Sequence, residues 1–67
     1  MNYVVKFWIE NLYKSAIEET KGRIKNEHIW ELSYNGESPN PHTQNIKDMK
    51  EYIDFLEKEL SNFSVST

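Results

Sequence analysis

The stretch HTQNIKDMKEYIDFLEKELSNF, His42 to Phe63, decides the fold. Its apolar residues are Ile46, Met49, Ile53, Leu56, Leu60 and Phe63, spaced 3, 4, 3, 4, 3. That alternation places them on one stripe of an α-helix, in the manner of a coiled-coil seam. His42 lies seven residues before Met49 and falls on the same stripe. A helix this apolar on one side is marginal alone in water and must be covered.

Upstream, Ile9, Leu12, Tyr13, Ala16, Ile17, Thr20 and Ile24 repeat at helical spacing. The opposite face carries Glu10, Lys14, Glu18, Lys21 and Lys25. Glu10–Lys14 and Glu19–Arg23 stand at the separation that supports a helix. A first helix is therefore expected over residues 2–33. The β-branched and aromatic cluster Tyr3, Val4, Val5, Phe7, Trp8 and Ile9 makes a short N-terminal strand the alternative there. Gly22 interrupts the helix with either a tolerated glycine or a point of close helix approach.

Residues 34–40 form the connection. Asn35-Gly36 suits a left-handed helix end, and Ser38-Pro39-Asn40-Pro41 cannot continue a helix. Asn40 as N-cap with Pro41 at the first helical position starts a second helix over residues 41–62. Asn45 is a second candidate cap, with Asp48 three residues on. The tail, 63–67, reads as frayed. The fold class is all-α: a single domain, 1–67, built as an antiparallel helical hairpin.

Composition limits how such a hairpin can be stabilised. A domain of 67 residues supplies only a few kcal/mol from its own core. The chain has no cysteine, so disulfides and thiolate metal sites are excluded. Oligomerisation is the remaining staple. With helix 2 ending at residue 62, it would run out near Leu12, leaving residues 3–9 as an apolar overhang. Two copies sharing their overhangs would form a homodimeric four-helix bundle.

The candidate dimer or partner-binding residues are Tyr3, Val5, Phe7, Trp8, Ile9, Tyr52 and Phe55. A second candidate is an acidic and aromatic patch of Glu27, His28, Trp30, Glu31 and Tyr34. Glu27 and Glu31 repel at this spacing and lie at the wrong end of their own helix dipole. The simpler reading has them offset by His42 and helix 2 across the turn. His42 itself reads as a structural residue closing the core against Trp30 or Tyr34.

Chemistry is harder to find. There is no glycine-rich phosphate loop, nucleophile elbow or His-Glu-x-x-His pattern, and no metal or cofactor is expected. Net charge is −3, and the basic run Lys21, Arg23, Lys25 is diluted by Glu18, Glu19 and Glu27. That argues against nucleic acid, although a dimer-made groove of Lys14, Lys21, Arg23 and Lys25 keeps a nucleic-acid-associated accessory factor as the alternative. No secretory signal or membrane span is read in the sequence, so a cytoplasmic setting is expected. Lysine outnumbers arginine seven to one, a bias usual in AT-rich bacterial and phage genomes. The expected function is a small non-enzymatic protein–protein interaction module that binds and regulates or inhibits a partner, in one form a phage inhibitor of a bacterial host protein.

Overall fold

The computed structural model describes residues 2–66. Two helices, α1 (Tyr3–Ser33) and α2 (Pro41–Ser66), pack against each other as an antiparallel hairpin. The N-terminal cluster is helical, not a strand. Asn2 starts α1: its side-chain Oδ1 accepts a hydrogen bond from the Val4 amide at 2.7 Å.

α1 presents a continuous inner row to α2. Lys6, Glu10, Tyr13, Ile17, Thr20, Ile24, Glu27 and Glu31, all buried or half-buried, follow at alternating spacings of 4 and 3, with half-buried Ile9 and Ala16 beside them. From α2 come His42, Ile46, Met49, Ile53, Leu56, Leu60 and Phe63. The α2 row is the one the sequence predicts. The middle of the α1 row, Tyr13, Ile17, Thr20 and Ile24, is also predicted; its polar ends, Lys6, Glu10, Glu27 and Glu31, are not. Leu12, expected on the inner stripe, is 69% exposed.

The core is correspondingly thin. Ile17, Ile53 and Leu56 are buried, with Tyr13, Ala16, Ile24 and Leu60 packed around them. Thr20 is buried in the same seam and satisfies its hydroxyl on the Ala16 carbonyl at 2.7 Å. Among the described residues no side chain is less than 2% exposed. The molecule measures 53 × 15 × 10 Å, with a radius of gyration of 15.8 Å. A compact chain of this length would have a radius of about 11 Å.

Two expectations about the chain ends are corrected. The residues from Phe63 to Ser66 continue α2 instead of fraying; Thr67 lies outside the described residues. Phe63 is held by the Tyr13 ring, with centroids 6.4 Å apart. α2 therefore reaches the level of Lys6, whose Nζ lies 3.5 Å from the Ser64 carbonyl. The predicted overhang of residues 3–9 shrinks to about the first turn of α1. Their apolar side chains other than Ile9 are still exposed, for another reason: Phe7 and Trp8 point away from the seam.

The connection also differs in detail. α1 ends on Tyr34 in extended backbone, φ −72° and ψ 130°, and no described residue has a left-handed φ. Gly36 is needed for space, since a Cβ there would collide with the Tyr34 hydroxyl and ring. Gly22 meets nothing within 4 Å, so it is a tolerated glycine within the hairpin.

Candidate interaction surface

The two predicted surfaces have different characters. The turn end is a closed polar lattice. Antiparallel packing brings the last turns of α1 beside the first turn of α2. Glu27 and Glu31 are misplaced for the dipole of α1, but they supply the negative charge that the N-terminus of α2 lacks in its own first turn.

Specific bonds fix this arrangement. His42 Nδ1 lies 2.6 Å from Glu27 Oε2. An ionised carboxylate only accepts, so the imidazole donates from Nδ1. Asn45 Nδ2 is 3.5 Å from the same oxygen; Asn45 lies inside α2 and does not cap it. Thr43 donates its hydroxyl to Glu31 Oε2 at 2.7 Å, and His28 Nδ1 lies 3.1 Å from Glu31 Oε1. The Thr43 hydroxyl above all, with His28 and Lys50 helping against partial desolvation, holds the Glu31 carboxyl below the ordinary glutamate value.

Asn40 ties the two helix ends together. Its Oδ1 accepts from the His42 amide at 3.0 Å, capping α2, while its Nδ2 donates to the Glu31 carbonyl at 2.9 Å. That carbonyl belongs to the last turn of α1 and also accepts from the Tyr34 amide at 3.4 Å. Trp30 and Tyr34 enclose His42, the first nearly parallel at 6.3 Å and the second edge-on at 6.2 Å. The Tyr34 hydroxyl is 2.9 Å from Ser38 Oγ. All five predicted patch residues thus gather at the turn, where their polar groups are largely used on one another and on α2.

The comparisons with protein-family models, curated proteins and solved structures find no match.

The second surface is apolar and open. Tyr3, Val5, Phe7 and Trp8 are exposed along the first turns of α1; Tyr52 and Phe55 are exposed midway along α2. Ile9 is half-buried and lines a shallow groove of about 320 Å3 with Leu12, Tyr13, Ala16 and Leu56. Ala16 continues into a second groove of about 270 Å3, bounded by Glu19, Arg23, Met49 and Tyr52. Leu12 borders a third, with Phe7, Trp8, Asn11 and Ser15. The hairpin thereby joins the early residues of α1 to Tyr52 on one side of the molecule. Sequence reasoning missed Leu12 as a surface residue because it placed it on the inner stripe. It also missed Ile29 and Leu32, exposed near the turn.

The opposite side is polar. A groove of about 460 Å3 is bounded by residues that include Glu31, Lys47, Lys50, Glu51 and Asp54, a mixture of signs. The basic run does not form a patch: Lys21 pairs with Glu18 at 3.7 Å and Arg23 with Glu19 at 2.9 Å. Glu10, expected to pair with Lys14, has Lys6 at 3.9 Å. Among the described residues no group of three or more metal-ligating side chains is formed. No described helix is long and apolar enough to cross a membrane.

Proposed function

We propose that this chain is a small non-enzymatic protein–protein interaction module that works in the cytoplasm as a homodimer. Its exposed aromatic surface binds a partner protein and regulates or blocks it. The carrying observation is an imbalance in burial. Twelve large apolar or aromatic side chains are exposed among the described residues, against three apolar residues buried. Soluble monomers seldom leave large apolar patches in water, and such patches mark contact sites. Aromatic anchors of the Trp8, Trp30 and Phe55 type dominate binding energy where they are buried by a partner. A phage inhibitor of a bacterial host protein is one form of this function, supported by size and by the lysine-rich composition.

The test is affinity capture from a bacterial lysate, with sedimentation of the purified protein alongside. A specific co-purifying protein, depleted in Trp8→Ala or Trp30→Ala, is the expected result. A monomer whose captured proteins are unchanged by both substitutions would overturn the proposal.

A further inference from the structure

Asn35-Gly36 does not close α1 in a left-handed turn, since no described residue has a left-handed φ. The pair lies in irregular backbone between α1 and α2, and both residues are exposed. Among the described residues, neither the Asn35 side chain nor the Gly36 amide has a hydrogen-bond partner. A freely rotating carboxamide thus adjoins an uncommitted backbone N–H, on a residue with no Cβ to hinder approach.

The other asparagines lack one or more of these features. Asn11, Asn26, Asn45 and Asn62 stand inside helices, where the following N–H is committed to a carbonyl one turn back. The Asn2 side chain is held by the Val4 amide. Asn40 is bonded through both atoms of its carboxamide and precedes Pro41, which has no N–H.

We infer that Asn35 is a site of spontaneous covalent modification, converted to isoaspartate and aspartate by ring closure onto Gly36 and hydrolysis. Asparagine is a thermolabile side chain, and this is the chemistry open to it here. Hydroxide removes the Gly36 amide proton, and the nitrogen attacks Asn35 Cγ. A C–N bond forms, the Cγ–Nδ2 bond breaks, and the leaving nitrogen takes a proton from water to depart as ammonia, restoring the hydroxide. The product is a five-membered succinimide. Water then adds to either of its carbonyls. Cleavage between Cγ and the ring nitrogen gives aspartate. Cleavage between the backbone carbonyl carbon and that nitrogen gives isoaspartate, whose main chain runs through Cγ. Nothing is oxidised or reduced, and water is the only co-reactant.

The turn end registers the change. A Cβ at Gly36 would collide with the Tyr34 hydroxyl and ring, so the backbone there already lies against that side chain. Isoaspartate inserts a methylene into the main chain at this contact. It also leaves a carboxylate just beyond the C-terminus of α1, the unfavourable end of the helix dipole. Tyr34 in turn meets His42 edge-on and Ser38 through its hydroxyl. The lattice around His42 is therefore looser in the isoaspartate form.

The experiment is incubation of the whole chain at neutral and mildly alkaline pH, folded and in urea, followed by peptide mass spectrometry that resolves the two products. The folded chain should lose the Asn35 amide faster than any other asparagine and within a few-fold of its rate in urea. Isoaspartate should exceed aspartate, and the rate should rise in proportion to hydroxide. Asn35→Gln, whose longer side chain closes its ring far more slowly, should stay intact at that position. Asn35→Asp, freshly prepared, supplies the charge without the added methylene, so its thermal midpoint should fall less than that of the isoaspartate form. A folded chain that keeps Asn35 under conditions where the chain in urea converts it overturns the assignment, because the turn would then protect the pair. An isoaspartate form that melts together with Asn35→Asp overturns the coupling to Tyr34.

Discussion

His42 Nδ1 donates to Glu27 Oε2 at 2.6 Å, joining the second residue of α2 to a carboxylate near the end of α1. Both side chains are about three-quarters shielded from water, so this contact is screened less than the surface pairs Lys21–Glu18 and Arg23–Glu19. Glu27→Ala removes the acceptor and leaves the imidazole nitrogen unsatisfied. It should cost about 1–2 kcal/mol in urea unfolding. Glu27→Gln keeps an acceptor oxygen and loses the charge beside the N-terminus of α2, so its cost should be about half as large.

Asn40 serves two helices with one amide, and its substitutions separate the two tasks. Asn40→Ala loses both the cap of α2 and the bond to the Glu31 carbonyl, and should destabilise by about 2 kcal/mol. Asn40→Asp retains a capping oxygen but has no donor for that carbonyl, so its urea midpoint should lie between wild type and Asn40→Ala. Equal midpoints for the two variants would show that the carbonyl bond carries no stability.

Glu31 makes the turn sensitive to acid. Its carboxyl is held below the ordinary value in the folded chain, chiefly by the Thr43 hydroxyl. A lowered folded value means that the stabilisation is complete above the unfolded value, about 4.3, and is lost as pH falls through the folded one. The urea midpoint should therefore drop on acidification below about pH 4. Thr43→Val should move the Glu31 titration, followed by carboxyl NMR, upward toward the ordinary value and blunt its share of that drop.

The two glycines should respond oppositely to alanine. Gly22 is helical with open space at its Cβ position, so Gly22→Ala should stabilise by about 1 kcal/mol. Gly36→Ala forces the Tyr34 ring aside and with it the edge contact to His42. It should destabilise by about 1 kcal/mol, within the range usual for a displaced packing contact. Thermal melts of the two variants check both signs.

The hairpin was legible because α2 carries one apolar row at seam spacing and because Asn40-Pro41 marks its start. On the inner face of α1 only the middle was legible, at Tyr13, Ile17, Thr20 and Ile24. Lys6, Glu10, Glu27 and Glu31 hold inner positions, while Val5, Trp8 and Leu12 hold outer ones. Polar residues belong inside here because both ends of a thin hairpin are wet, and Glu27 and Glu31 answer the dipole of the neighbouring helix. Periodicity scored on apolar residues alone follows Leu12 and overlooks Glu27. The lattice at the turn was half legible. Glu27, Glu31 and His42 were singled out together, but Thr43 gave no signal of its own.

Phe63 is where the end of α2 acquires its stability. Sequence reading assigns it both to the apolar row and to a frayed tail, and the structure resolves the conflict in favour of the row. Its ring meets Tyr13 at a tilt of 45°, an arrangement that adds to the area buried. Beyond it Ser64 and Val65 are exposed and make no core contact. Phe63→Ala should therefore cost roughly 1–2 kcal/mol, less than a fully buried phenylalanine because the ring is half-exposed. The loss should be local: amide exchange should accelerate from Leu60 toward the C-terminus, and the Lys6 Nζ should lose its contact with the Ser64 carbonyl. Unchanged exchange at Ser64 and Val65 would mean that the last turn stands without Phe63.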